Sequence, residues 1–346
     1  MPSWSAELQH SASAQMGARL AQLRAQRVAS VDSTNSALLR SAQAGDYNPQ
    51  VLWADAQTAG RGRMGRVWHS AAASLDASCD TSSVVAAGAQ RSLTFSIALP
   101  FAPQDWSGLS LVVGLAATEV LGDGIALKWP NDIVVRRTAG YAKLGGILLE
   151  TQALPEAAAA DLAAQTGLPC AAARWLVIGM GLNLQGQPIS VMASEAKQST
   201  ASAESTEKEA SMAALRAPAA DLAQALPSAQ AQALLADVPA LCSHLVLAIL
   251  QAALRFERTG FAPFAPAFAQ RDVLLGQSVA TYQDEQCQQQ GLALGVALDG
   301  SYRLRLPDGS ERGIHSAEIS LRPAAQGMGA RSEERRVGKE CRPLCR

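Results

Sequence analysis

The chain has 346 residues, 48% of them hydrophobic, and its 29 basic and 30 acidic side chains give a formal net charge of −1. Such a chain can hold two domains with a substantial core, and its charge balance excludes a global pull toward nucleic acid or a membrane surface. No apolar run approaches the roughly 18 residues of a membrane span, and the opening MPSWSAELQH lacks the regions of a signal peptide. Six scattered cysteines without a CxxC, beside four histidines, suit reduced cytoplasmic thiols better than structural zinc.

Helical and extended patterns alternate along the chain, as in an α/β domain. Val28 to Val31 reads as a strand, followed by DSTN at 32–35 and an apolar helical pattern from Thr34 to about Ala44. DSTN on its own is most simply an N-cap. Val51 to Gln57 is a second strand, and Leu93 to Leu99 a third. Leu109 to Leu121 is a largely buried helix stopped by Gly122. Ala126–Trp129, Ile133–Val135, Lys143–Gln152 and Trp175–Leu184 complete the sheet. Residues 71–91 and 185–232 are rich in Ala and Ser and read as flexible insertions. Leu241, Leu245, Ala248, Ile249, Ala252 and Phe256 recur at helical spacing, which marks core. From Gly276 short strands alternate with Asp299-Gly300 and Asp308-Gly309 turns, a hairpin pattern that suits a small barrel. No internal repeat is present.

Three segments carry chemistry. GRGRMGRVW, Gly60 to Trp68, sets three arginines and three glycines in seven residues ahead of a tryptophan. Glycines let backbone come close to a ligand, and Arg61, Arg63 and Arg66 offer planar cations that match phosphate and carboxylate. Gly60, Gly62 and Gly65 also spell GxGxxG, but Arg66 to His69 do not open the helix that a nicotinamide dinucleotide loop needs. KWPND at 128–132 is a strand ending in a turn, because proline disfavours helix for the tryptophan before it. Asn131 and Asp132 at its tip are an Asx turn or a pair of oxygen donors for Mg²⁺. Lys143 opens the apolar run KLGGILLE and sits at the mouth of a buried strand.

DSTN, Gln57 with TAGRGRMGRVW, KWPND, KLGGILLE and VIGMGLNL at 177–184 resemble, in order, the motifs of the biotin protein ligase family. The resemblance spans roughly 28–184 and resumes at about 238–322. It implies an α/β (α+β) catalytic domain of the class II synthetase-like, biotin/lipoate ligase type with a mixed sheet, over 28–272. An SH3-like β-barrel would follow at 276–323, helping ATP or carrier binding or only stabilising the chain. By motif position, Ser33, Thr34, Asn35 and Gln57 would bind the biotin rings. Arg61, Gly62 and Arg63 would close over biotin and its adenylate. Lys143 would lie between the biotin carboxylate and the α-phosphate, making Lys143, Arg61 and Arg63 the catalytic set. Arg66, Trp68, Asn131 and Asp132 would serve ATP, with Asn131 or Asp132 near Mg²⁺. The implied activity is ATP-dependent formation of biotinyl-5′-AMP and transfer of biotin to a lysine of biotin carboxyl carrier protein. A lipoate ligase and a non-catalytic biotin-binding protein are the alternatives.

The chain departs from the family in four places. Residues 1–27 are too short for the DNA-binding domain of members that repress transcription, so no nucleic-acid or membrane partner is expected; a homodimer stays open. The 71–91 stretch lengthens the connection after Trp68 and lacks the usual glycine-asparagine pair. The 185–232 stretch includes VMASEAKQS, which resembles translated repeat DNA. RSEERRVGKEC at 331–341 resembles translated adapter DNA, which would place the native end near Pro323 and make 324–346 an artefactual tail.

Overall fold

The computed structural model describes residues 4–16, 20–68, 91–138, 140–166, 173–186, 218–283, 286–315 and 320–323. Seven strands form one mixed sheet: β1 (Arg24–Val31), β2 (Gln50–Gln57), β5 (Ser92–Phe101), β6 (Ile125–Lys128), β7 (Asp132–Arg137), β8 (Gly140–Ala153) and β9 (Arg174–Asn183). Their order is β1-β2-β5-β9-β8-β7-β6. β1 runs parallel to β2 and every other neighbour is antiparallel. The short pair β3 (Gly60–Arg61) and β4 (Val67–Trp68) folds back on itself as the arms of the arginine loop.

Strand alternation sorts the two faces of this sheet. Leu93, Phe95, Ile97 and Leu99 of β5, with Leu176, Ile178, Met180 and Leu182 of β9, enter the main core under α3 (Leu109–Leu121). The residues between them, Ser96 on β5 and Gly179 and Gly181 on β9, face the other way, toward α2 (Thr34–Gln43) and the arginine loop. On that second face Leu38 and Ala42 of α2 pack on Leu52, Ala98, Trp175 and Val177. One sheet face thus makes the core, and the other carries a smaller core beside a polar site.

Two stretches differ from the sequence expectation. The first strand begins at Arg24, four residues early, and an α-helix, α1 (Trp4–Met16), precedes it. Leu8 and Ala12 of α1 are fully buried in the main core, so this is packed structure where a bare extension was expected. Only two of its thirteen residues are large aliphatics, Leu8 and Met16, so the helix shows little amphipathic pattern. Farther on, the composition places 218–232 in the flexible insertion, but α5 (Leu222–Ala225) and α6 (Ser228–Ala236) stand there, after α4 (Glu156–Thr166). Asp221 caps α5, and Ala220, Leu222, Leu226 and Ala231 are buried, anchors that an Ala- and Gln-rich composition conceals. The remainder of both proposed insertions, at 71–90 and 187–217, and the 324–346 tail lie outside the described residues.

α7 (Val238–Thr259) is the long core helix; Pro239 sits at its first turn, Asp237 caps it, and Gly260 ends it. By length and composition it could cross a membrane, but its Leu241, Leu245, Val246, Ile249, Leu250, Ala253 and Phe256 are buried in the core against α3 and α1. α8 (Ala265–Arg271) leads into five antiparallel strands, β10 (Ser278–Gln283), β11 (Gln286–Val296), β12 (Tyr302–Arg305), β13 (Glu311–Ile314) and β14 (Ser320–Pro323), ordered β13-β12-β11-β10-β14. Gly300 and Gly309 hold φ of 80° and 85° in the two expected Asp-Gly turns. This sheet shares the main core through Val279, Ala293, Tyr302, Leu304 and Ile314. Tyr302 also packs against Trp129, with ring centroids 5.6 Å apart and planes tilted by 54°, and the Trp129 indole N–H donates to the Gly300 carbonyl at 3.3 Å. The C-terminal sheet therefore braces the KWPND turn from behind.

Candidate active site

A cavity of about 590 Å³ is lined by the loop from Ala59 to Val67 together with Leu148 and Glu150 of β8. A polar, buried network, the floor, joins this lining through Glu150. Helix α2 begins where Thr34 and Asn35 cross over β5 and β9, and Ser33, Thr34 and Asn35 are all buried. The Thr34 amide and hydroxyl donate to Gln57 Oε1 at 2.7 and 3.1 Å, which fastens the end of β2 to the helix start. Ser96 Oγ lies 2.6 Å from both Thr34 Oγ1 and Asn35 Oδ1. Asn35 Nδ2 donates to Glu150 Oε2 at 2.8 Å and to the Leu148 carbonyl at 3.3 Å. Buried polar groups are thus paired through one continuous network, as their desolvation requires. Ser33 does something else: its Oγ accepts from the Ser36 amide at 3.4 Å, the N-cap of α2.

The arginine loop closes one wall. The Gly62 amide donates to the Arg66 carbonyl at 2.7 Å, bending the chain into a tight turn over Arg63–Gly65. Met64 holds φ 56°, a left-handed conformation that costs a non-glycine residue roughly 1 kcal/mol. Arg61 donates to Glu150 Oε2 at 2.8 Å. Arg63 donates to Asn131 Oδ1 at 3.3 Å, bringing the loop to the KWPND turn; burial lowers its guanidinium pKa. Arg66 is exposed at the rim. The Trp68 ring lies flat on β9 where Gly181 has no side chain, since a Cβ there would fall 2.5 Å from two ring carbons. Gly179, two residues earlier on the same face, makes equal room for Asn35, whose Oδ1 a Cβ would meet at 2.2 Å.

The cationic end is built at a β-bulge. The pairing of β7 with β8 shifts register between Ile133 and Val134, opposite Lys143 and Gly145. The backbone of Lys143 instead pairs with 218–220: its amide donates to the Pro218 carbonyl at 2.6 Å and its carbonyl accepts from the Ala220 amide at 2.8 Å. Lys143 Nζ reaches Asp132 Oδ1 at 2.6 Å, and Lys128 Nζ reaches Asp132 Oδ2 at 3.3 Å. Burial alone would raise the Asp132 carboxyl, but the Lys143 and Lys128 ammoniums outweigh it and hold it well below the usual carboxylate range. Burial also lowers the Lys128 pKa, against the pull of Asp132. Two ammoniums on one carboxylate leave a net positive charge in a partly dry site.

The donors do not fit a resident Mg²⁺. Both Asp132 oxygens accept from lysines, Asn131 Oδ1 accepts from Arg63, and Asn131 Nδ2 donates to the Ile147 carbonyl at 2.8 Å. An octahedral ion needs oxygen donors not already committed to cations. Among the described residues no three His, Cys, Asp or Glu side chains gather as a metal set. Asn131 and Asp132 act here as anchors for cations.

Of the expected residues, Arg61, Gly62, Arg63 and Arg66 line the cavity; Thr34, Asn35 and Gln57 connect to it through Glu150, Asn131 connects through Arg63, Asp132 and Lys143 pair with each other, and Trp68 packs against Gly181. Three partners went unassigned in the sequence: Ser96, Glu150 and Lys128. Ser96 had a signal, being polar within the apolar run LTFSIAL on the face opposite Phe95 and Ile97. Glu150 closes KLGGILLE and Lys128 opens KWPND, but nothing in either motif shows which partner each side chain meets.

Residues 28–160 match the model of the biotin/lipoate A/B protein ligase family. A biotin--[acetyl-CoA-carboxylase] ligase of Mycobacterium tuberculosis is 34% identical over 170 residues, covering 46% of this chain and 49% of the relative. The bifunctional ligase/repressor BirA of Escherichia coli is 34% identical over 161 residues, covering 44% of this chain and 38% of its own length. The chain therefore spans about half or less of these curated relatives. The fold is also that of the biotin protein ligase of Aquifex aeolicus solved with biotin and ATP, at 21% identity and TM-score 0.52, covering 87% of this chain and 99% of that one. The sequence match to this family is thus confined to residues 28–160, and the likeness to the solved ligase is one of fold.

Proposed function

We propose that this protein is a biotin protein ligase that activates biotin with ATP and transfers it to a lysine of biotin carboxyl carrier protein in the cytoplasm. The observation that carries the proposal is that Glu150 joins the buried Gln57–Thr34–Ser96–Asn35 network to Arg61, while Arg63 of the same cavity wall meets Asn131, next in sequence to the Asp132 that holds Lys143. A ring bearing a cyclic urea needs such paired polar groups, and the acid at its far end needs the cations.

In the first step a carboxylate oxygen of biotin attacks the α-phosphorus of ATP, an O–P bond forms, and the bond to pyrophosphate breaks. Two anions must approach, and negative charge gathers on the oxygens around the α-phosphorus. Fixed cations aimed at that charge lower the barrier more than they aid ground-state binding. Supporting this role for Lys143, Asp132 holds its ammonium and the 218–220 strap holds its backbone. In the second step the carrier lysine amine attacks the biotinyl carbonyl, an amide forms, and AMP leaves with the electron pair of the broken C–O bond. Arg63 and Gly62 would cover the mixed anhydride meanwhile, keeping water out. Mg²⁺ would arrive with ATP and screen its phosphates; no residue here is assigned to hold it. Trp68 and Arg66 fit the nucleotide side.

The test is label transfer from biotin to the purified carrier domain of an acetyl-CoA carboxylase, with albumin as bystander. Wild type should label the carrier lysine alone. Arg63→Gly should release the adenylate and label both proteins. Carrier-only labelling by Arg63→Gly would remove the covering role, and no labelling by wild type would remove the function.

A further inference from the structure

We propose that Glu150 is a positioning residue that holds the arginine loop in register with the ring-binding network, a role resting on the biotin-activating function proposed above. Glu150 follows Gly146 and Leu148 on the site face of β8, and its side chain is 23% exposed. A single oxygen, Oε2, accepts both from Asn35 Nδ2 and from Arg61, each at 2.8 Å. An anion in a pocket meant for a carboxylate and a phosphate repels both, so a purely space-filling role would be better served by a neutral side chain. What this carboxylate adds is a link. The bonded series runs Gln57, Thr34, Ser96, Asn35, Glu150, Arg61, from the end of β2 across the sheet to the loop.

Two consequences follow from the donor and acceptor inventory. Asn35 can present its amide in either sense. With Nδ2 committed to Glu150 and to the Leu148 carbonyl, Oδ1 must face Ser96, which fixes the polarity of the floor. Arg61 has five N–H donors in a rigid fork. One held by Glu150 sets the plane of the guanidinium and leaves other N–H groups for a substrate anion. Arg61 is exposed and sits on a two-residue strand, so little else constrains it. Glu150 therefore decides where the Arg61 charge stands relative to the floor.

The test is a double-mutant cycle on the full-length chain, using Glu150→Gln, which keeps shape and one acceptor for Asn35 while losing the charge, and Arg61→Ala. Hydrogen exchange of 60–66 is read first, without ligand. Glu150→Gln should speed exchange there and leave Ser92–Phe101 unchanged, and adding it to Arg61→Ala should bring no further increase. Biotin-dependent pyrophosphate exchange is read second. Glu150→Gln should lower kcat/KM for biotin roughly tenfold in the wild-type background and less than about twofold in Arg61→Ala. Equal losses in both backgrounds, a gain in kcat/KM, or unaltered exchange of 60–66 would each overturn the link. A wild type without biotin-dependent exchange would overturn the enzymatic function instead, and the hydrogen-exchange cycle would still decide the link.

Discussion

Gly179 and Gly181 sit two residues apart on one face of β9 and divide the site between them, so replacing each with alanine should damage different halves of the reaction. Neither has a left-handed backbone, so alanine is tolerated locally and the effect comes from the new methyl group. In Gly181→Ala the Cβ would stand 2.5 Å from the Trp68 ring. Carbon contacts settle at about 3.5–4.0 Å, so the ring must retreat by about 1 Å or more. β9 is a central strand hydrogen-bonded on both sides and does not yield, whereas β4 is a two-residue arm of a loop. The ring should therefore swing away. Stability should fall by about 1 kcal/mol, the low end of the overpacking range, because the displaced group lies at the edge of the structure.

Gly179→Ala is the harsher change. Its Cβ would meet Asn35 Oδ1 at 2.2 Å, and Asn35 is buried and bonded on both ends of its amide. Losing that register leaves buried polar groups unpaired, at about 2–3 kcal/mol. Steady-state pyrophosphate exchange and urea melts read both effects. Gly181→Ala should raise KM for ATP about tenfold with KM for biotin within about twofold, and Gly179→Ala the reverse. The same KM pattern for both variants would refute the division of the site by these glycines.

Three other outcomes follow from single side chains. Ser33→Ala should cost about 1 kcal/mol in a urea melt through loss of the α2 cap while KM for biotin hardly moves, whereas a large KM change would return Ser33 to the ligand set. Asp272 is buried, accepting from the Tyr302 hydroxyl at 2.7 Å and the Leu274 amide at 2.9 Å, and burial raises its carboxyl above the ordinary value. A raised folded-state pKa means that its contribution is fully present below the unfolded value of about 3.9 and is lost as pH rises through the folded value. Asp272→Asn should therefore flatten the fall in urea midpoint between the unfolded and the raised folded value; an unchanged slope there would contradict this. Asp32 is the opposite case: the hydrogen bond from Arg40 lowers its carboxyl to about 2. Its contribution is present above about 3.9 and lost as pH falls through about 2; the pair is largely exposed, so Asp32→Asn should cost less than about 1 kcal/mol at pH 7.

Much of the catalytic fold is legible because its central strands are continuous apolar runs and two of its helices, α3 and α7, end on glycine. Leu109–Leu121 stops at Gly122 as expected, and β9 lies within one residue of its expected bounds. DSTN, GRGRMGRVW and KWPND lie at a helix start or a turn, whereas KLGGILLE runs along the middle of β8. The misses share a cause. Ser96, Glu150 and Lys128 act through partners 61, 115 and 4 residues away, and only tertiary pairing selects those partners. The pairing of Lys143 with Pro218 and Ala220 is equally invisible, because it joins a motif to a segment whose composition reads as filler. Among the described side chains of α1 only Leu8 and Ala12 are buried, with Trp4 and Met16 packed beside them, too sparse a stripe to mark a core helix.

The central claim, that this cationic site activates biotin by adenylation, is tested most directly by exchange of labelled pyrophosphate into ATP. Biotin and lipoate are offered in parallel to wild type and to Lys143→Ala. The account predicts exchange with biotin alone, abolished in the variant, while binding of biotin to the variant stays measurable. Exchange driven by lipoate would move the protein to the other acid, and biotin binding without exchange would contradict a catalytic role for the site.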